Sequence, residues 1–286
     1  MYKLKKLSPI YLILLGIFFL FLIITPKLIN ESSKLAIYKK DPNKTYIQTI
    51  NKLPQTPTKI HPLGTDKIGR DILARLILAT RNSILIAFSY ATISAIIGIF
   101  IGIIIGSLKL KICLIISKLI ESLQTIPFTY ILMLIYYYFS KQKSYNILTV
   151  ASTLALIHGW ITFSFITRNT TLLIKNLDYI KASKIIGASQ FRIIIYHIFP
   201  EVFSSISSII PLQISKSLTT FEIINFLQQD DKSSYPSLGE LLGYMEMGKE
   251  YFWIWINPLI ILLSINIILT SISLKFKKHM KPLISS

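Results

Sequence analysis

Apolar residues in this chain gather into long blocks, and lysine-bearing stretches separate one block from the next. A bilayer core about 30 Å thick takes roughly 20 residues in a helix, so a block of that length without Asp, Glu, Lys or Arg predicts a membrane span. Five blocks meet or nearly meet this length: Leu7 to Pro26 (20 residues), Asn82 to Leu108 (27), Ser122 to Ser140 (19), Ser144 to Thr167 (24) and Tyr251 to Leu274 (24). A sixth, Val202 to Phe221, is broken only by Lys216. Glycine and proline occur inside the blocks, as spanning helices tolerate. The pattern predicts an all-α integral membrane protein with about six transmembrane helices.

The blocks divide the chain into a tail and first anchor (1–26), a polar loop (27–81), a helical core (82–274) containing a polar loop at 168–200, and a second tail (275–286). The first block follows Lys3, Lys5 and Lys6, as a cleaved signal would. It is longer than a signal core, and Ile23-Ile24-Thr25-Pro26-Lys27 holds no small-x-small site, so a retained anchor is expected.

Composition agrees with a membrane protein, at 52% hydrophobic and 15% charged residues, with a mean hydropathy of +0.57. A net charge of +18 would suggest nucleic acid in a soluble protein. Here the lysines flank apolar blocks, where cations meet lipid headgroups, so lipid rather than nucleic acid is the expected contact. The single cysteine, Cys113, excludes an intramolecular disulfide and a cysteine-rich metal site. With both termini inside, the cytoplasmic segments sum to +12 and the outer segments to +5. The bias predicts a cytoplasmic N-terminus and C-terminus.

Two features inside the blocks stand out. Gly98, Gly102 and Gly106 share one helix face and allow another backbone to approach closely, from this chain or from a second subunit. Lys216 must face water, a partner or the bundle interior, or lie far enough outward to snorkel. In the cavity reading, Lys216 and Gln213 line a pathway for an anionic group.

Enzymatic motifs are missing from the spans. There is no His-Glu-x-x-His, no Gly-x-Ser-x-Gly and no phosphate-binding Gly-x-x-x-x-Gly-Lys-Ser/Thr loop. Gly187-Ala188-Ser189 with His197 lies in a polar loop, where helix punctuation explains it. ATP-driven work would therefore have to be powered by another chain. The 178–200 segment reads as two short helices joined at Gly187, with Asp178 and Ser189 as N-caps and Pro200 in the first turn of the next span. Such an element is either an amphipathic interfacial linker or a coupling piece that fits a cytoplasmic motor.

Lys181, Ala182, Ser183, Gly187 and Pro200 fall at the spacing of the "EAA" loop of importer permeases of the ATP-binding-cassette class, with Lys in place of Glu and Ser in place of the second Ala. The segment His61-Pro62-Leu63-Gly64-Thr65-Asp66, then Gly69-Arg70-Asp71, Arg75 and Arg81-Asn82-Ser83, resembles the stretch before the second span in the dipeptide/oligopeptide/nickel subfamily. Pro62 and Gly64 suit a turn, Asp66 a cap, and Asp71 with Arg75 a helical ion pair. Lys118, Glu121, Pro127, Asp178-Tyr179, His197 and Pro236-Ser237-Leu238-Gly239 also agree. The pattern loosens after Glu222, where Gln228-Gln229-Asp230 replaces Gly-Leu-Gly.

The resemblance implies a type I importer permease bundle in a bacterial inner membrane, forming half of a pathway that works by alternating access. It implies as partners a second permease, two cytoplasmic ATP-binding subunits and an extracytoplasmic solute-binding protein. ATP and Mg would sit on the partner ATPases, with no cofactor or metal on this chain. Peptides are the expected substrate, with nickel or another small solute as the alternative. A membrane enzyme or an assembly protein are the readings from other classes.

Overall fold

The computed structural model describes residues 40–46, 54–125, 127–140, 147–228 and 235–279. The first block, residues Gln229 and Asp230, and the end of the tail from 280 lie outside the described residues. Regular structure among the described residues is helical throughout, apart from two isolated β-bridges. The helices are α1 (Ile72–Ser107), α2 (Leu110–Leu123), α3 (Phe128–Ser140), α4 (Ile147–Leu154), α5 (Trp160–Lys175), α6 (Asp178–Ile185), α7 (Gln190–Ile193), α8 (Phe199–Ser207), α9 (Ile210–Gln228), α10 (Leu238–Leu242) and α11 (Phe252–His279). π-Turns at Ala155–Gly159 and Ile194–Ile198 join α4 to α5 and α7 to α8.

Among the described residues, three continuous helices are long and apolar enough to cross a membrane, namely α1, the α4–α5 rod from Thr149 and the stretch Lys249–Lys277 that contains most of α11. Two bent pairs, α2 with α3 (64°) and α7–α8 with α9 (47°), bring the number to five. The all-α membrane fold is thus the one expected, with the first anchor outside the described part. Both bends fall at prolines: Pro127 precedes α3, and Pro211 stands in the first turn of α9, where its missing N–H removes no helical bond. The chain opened at the second bend is partly satisfied from α11, since Ser273 Oγ donates to Ser208 O at 2.7 Å.

α1 begins ten residues before the charge-free block that announced it, and so holds Arg75 and Arg81. Counting charges placed the boundary at Asn82 because it could not know that Arg75 is fully buried among protein partners.

The described residues fall into two compact units. One runs to Leu85 and resumes from Asn225 to Leu263. Leu76 and Ala79 of α1 pack there on Leu238 and Leu241 of α10, with Leu63, Ile261 and Leu262 at the margin. The other unit holds Ile86 to Ile224 and the residues from Ser264 on. Its core has one cluster around Tyr90, Leu132, Leu154 and Phe221, and another around Ile103, Phe163, Ile180, Ile198 and Ile206.

In the second unit the glycine stripe lets α1 and α5 approach closely. A Cβ on Gly98 would collide with Phe163 Cβ, one on Gly102 with Thr167 Cβ at 2.5 Å, and one on Gly106 with Thr171 Cβ at 2.7 Å. All three partners lie on α5, so the stripe serves packing within the chain. At Gly159 the relation reverses, and Ser94 of α1 fills the space a side chain would need. Replacing Gly102 by Val should cost about 1–3 kcal/mol, as overpacking does. The check is thermal unfolding of the detergent-solubilised protein.

Candidate functional site

Two groups of residues singled out in the sequence assemble separately, one in each unit. In the first unit, the 61–71 segment folds into a tight loop ahead of α1. Gly64 has φ 74, and a Cβ there would run into Gln55 O, so both backbone conformation and space require glycine. Thr65 takes both ends of the same neighbour: its N donates to Gln55 O at 3.1 Å and its Oγ1 accepts from Gln55 N at 3.0 Å.

Asp66 closes the turn. Its Oδ1 accepts from Ile68 N (2.9 Å) and Arg70 N (2.8 Å), and its Oδ2 from Arg70 Nε (2.6 Å). It therefore caps a loop rather than a helix. The helix cap is Asp71, whose Oδ1 accepts from Ala74 N at 2.9 Å while its Oδ2 meets His61 Nδ1 at 2.7 Å. Gly69, with φ 84, allows the reversal between them, and Pro62 is exposed at the outside of the turn.

Arg75 was expected to pair along the helix with Asp71. Its backbone follows that register, N donating to Asp71 O at 3.2 Å, but its guanidinium crosses to another segment. It hydrogen-bonds Glu240 of α10 through one amino group and reaches Pro42 O (3.3 Å) through the other, and its Nε lies 3.8 Å from Asp66 Oδ2. Arg70 stands 3.8 Å from the same Glu240 oxygen. Asp66, Arg70, Arg75 and Glu240 are all at least nine-tenths buried. Burial pushes the Glu240 carboxyl above its ordinary value, with Arg75 and Arg70 pulling the other way. For Arg70, burial works against the charge, but Asp66 and Glu240 outweigh it and hold the guanidinium above its ordinary value.

The family-like stretches at 81–83 and 236–239 meet here as well. Asn82 Nδ2 donates to Pro236 O at 3.0 Å, and Leu238 N donates to Ser83 Oγ at 3.2 Å. Ser237 caps α10 by accepting from Glu240 N at 3.1 Å. The arrangement has no catalytic geometry: it is a latch of buried charge and hydrogen bonds that seats Pro236–Leu242 on the start of α1. Glu240 was missed from the sequence, where its only signal was standing next to Pro236-Ser237-Leu238-Gly239.

In the second unit, α6 and α7 form the elbow. Gly187 has φ 92, and the two bonds from Gly187 N to Lys184 O and from Ala188 N to Ser183 O, each 3.0 Å, complete a Schellman cap. Ser189 caps α7 by accepting from Arg192 N at 3.3 Å. Asp178 is the first residue of α6 rather than its cap; Leu177 holds the cap position and tucks against the core. Asp178 bonds Lys181 at 3.0 Å, but both are exposed, so that pair adds little stability.

α7 does not end before the next span. The π-turn Ile194–Ile198 carries it straight into α8, with Pro200 in the first turn of that helix. Tyr179 and His197 tie the two arms together, their rings 5.7 Å apart. Ile180, Ile193 and Ile198 anchor the elbow in the core, whereas Ile185, Ile186 and Phe191 are 86%, 87% and 72% exposed. Lys181 and Ala182 are exposed beside them, and Ser183 turns inward to donate to Tyr179 O at 2.8 Å.

Residues 98–282 match the family described as binding-protein-dependent transport system inner membrane component. The chain belongs to that family. With its apolar helices, it is a multi-pass inner-membrane permease component. It is 28% identical over 222 residues to the inner membrane ABC transporter permease protein YejE of Escherichia coli (strain K12), covering 78% of this chain and 63% of that one. It is 25% identical over 233 residues to the oligopeptide transport system permease protein OppC of Lactococcus lactis subsp. lactis (strain IL1403), covering 80% and 78%. Against the dipeptide transport system permease protein DppC of Bacillus subtilis (strain 168) the figures are 27% over 214 residues, 74% and 65%. The match thus spans about two thirds to four fifths of these relatives' lengths.

On α9, Ile214, Ser215, Ser217 and Leu218 are buried, while Lys216, Ile223 and Leu227 lie on the open side and Gln213 is half-buried. Ser215 and Thr219 bond Asn266 of α11 on the packed side. Lys216 therefore points away from its unit's interior.

Removing Arg75 should expose the latch energetically. Arg75→Met leaves a buried carboxylate without its nearest cation and should destabilise the protein by about 3–5 kcal/mol near neutral pH. Because burial raises the Glu240 pKa, the folded variant binds a proton that the unfolded chain has already released. Its stability should be highest in acid and fall as pH rises from the ordinary carboxylate range through the raised value. Thermal melts across pH, compared with the native protein, check both magnitude and sign.

Proposed function

We propose that this chain is a permease subunit of an ATP-driven importer, forming half of the transmembrane pathway, with peptides as its substrate. The observation that carries the mechanism is the elbow: apolar anchors hold it to the bundle on one side, and Ile185, Ile186 and Phe191 face outward on the other. Three exposed large apolar side chains at a rigid cap suit a groove on a partner. Asp178, Lys181, Ala182, Ser183, Gly187 and Pro200 then form the ATPase-coupling loop, and ATP and Mg belong to two cytoplasmic partner chains. A second permease completes the pathway, and an extracytoplasmic binding protein delivers substrate. The names of OppC and DppC supply the substrate class.

Lys216, on the open side of α9 with Gln213 beside it, fits a pathway wall that attracts the carboxylate of a peptide. The His61 to Asp71 loop, held by the latch, lies on the extracytoplasmic side, and both termini are cytoplasmic. Alternating access follows if ATP-driven closure of the motor displaces the elbow and rocks the bundle.

Docking is tested by co-purifying the ATPase subunits with the tagged permease. Ile186→Asp should abolish co-purification and ATP-dependent peptide uptake, since so exposed a side chain contributes little to the packing of its own unit. Gly187→Val should do the same by straining the cap. Unchanged uptake in both would exclude the elbow as the dock.

Orientation is tested separately. In a Cys113→Ser background, Lys44→Cys should react with an impermeant thiol reagent outside the membrane and Lys184→Cys should not, although both positions are exposed. The reverse pattern would invert the topology.

A further inference from the structure

Lys175 ends α5, three residues before α6, yet its ammonium belongs to the end of α1. Nζ donates to Leu108 O at 2.7 Å and lies 3.3 Å from Gly106 O and from Ser107 O. The last carbonyls of a helix lack donors of their own, and they carry the negative end of its dipole. α1 has no basic residue in its last turn, so its cation arrives from α5. The lysine can reach only because the helices nearly touch there, with Gly106 against Thr171 one turn earlier.

Ile174, just before Lys175, and Leu177 and Ile180, on the way into the elbow, share a core with Ile103 of α1. The end of α1 is thus joined to the root of the elbow twice, through the ammonium and through this apolar cluster. No motif of the sequence marked Lys175.

We infer that Lys175 is a positioning residue that makes the C-terminal end of α1 and the Asp178–Gly187 elbow one mechanical body, so that displacement of the elbow carries α1 with it. This rests on the elbow being the ATPase dock. Without the lysine, the elbow still binds its partner through Ile185, Ile186 and Phe191, and ATP is hydrolysed, but α1 follows less faithfully.

The test uses the full chain assembled with its permease and ATPase partners in proteoliposomes. Lys175→Met should leave ATP hydrolysis in place and lower peptide transported per ATP by about fivefold or more, the lower end of ordinary coupling between sites. Lys175→Arg, which keeps a cationic donor, should restore the ratio, as lost bulk packing alone would not predict. Spin labels at Lys109→Cys and Asn176→Cys, both exposed, in a Cys113→Ser background, should hold one separation in the nucleotide-free and ATP-trapped complexes.

An unchanged transport ratio in Lys175→Met, or a label separation that shifts between the two states with Lys175 present, overturns the inference. If Lys175→Met does not assemble, the label pair in the lysine-bearing protein decides alone. An absence of ATP-dependent uptake by the native complex would instead defeat the permease reading.

Discussion

Between α1 and α5 the protein brings backbone to backbone, and much of the second unit is arranged around that approach. Lipid offers no water to drive helices together, so association rests on close van der Waals packing and on whatever polar groups can be satisfied internally. Gly98, Gly102 and Gly106 remove the side chains that would hold the helices apart, and Phe163, Thr167 and Thr171 occupy the space. Because the rods lie so close, the final carbonyls of α1 come within reach of a lysine on α5. The elbow leaves directly from that joint.

Buried charge governs the first unit in a different way. Taking a carboxylate or guanidinium out of water costs several kcal/mol, which only well-placed partners offset. Asp66 has three donors, and Arg75 is divided among Glu240, Asp66 and a backbone carbonyl. Each group depends on the others being present, so the cluster demands one arrangement of the 61–71 loop against α10. The exposed pair Asp178–Lys181 has no comparable hold on the elbow, whose shape comes from its glycine cap and its buried isoleucines.

Seen together, these elements suit the proposed importer subunit. The elbow is fixed on one face and apolar on the other, as a transmitting element requires. On α9, Lys216 has been left on the open side, while Ser215 and Thr219 are bonded to Asn266 within the unit. In the proposed reading this lysine serves a substrate or a partner rather than the fold.

Amino-acid pattern alone determined the helical membrane class, because a helix that crosses a bilayer must be apolar over its whole length, and such a run is visible without knowing its neighbours. It also determined the local stops: Gly187 and Ser189 act through bonds to residues within a few positions, and the structure retains both caps. What α1 would include was not determined. Arg75 read as a residue of the polar loop, paired with Asp71, until its distant partner Glu240, 165 positions away, turned it into an interior residue of α1. The face that Gly98, Gly102 and Gly106 contact and the bond of Lys175 to α1 were likewise decided by tertiary structure. Each depends on atoms far apart in the chain arriving within a few ångströms of one another, and no local pattern encodes that distance.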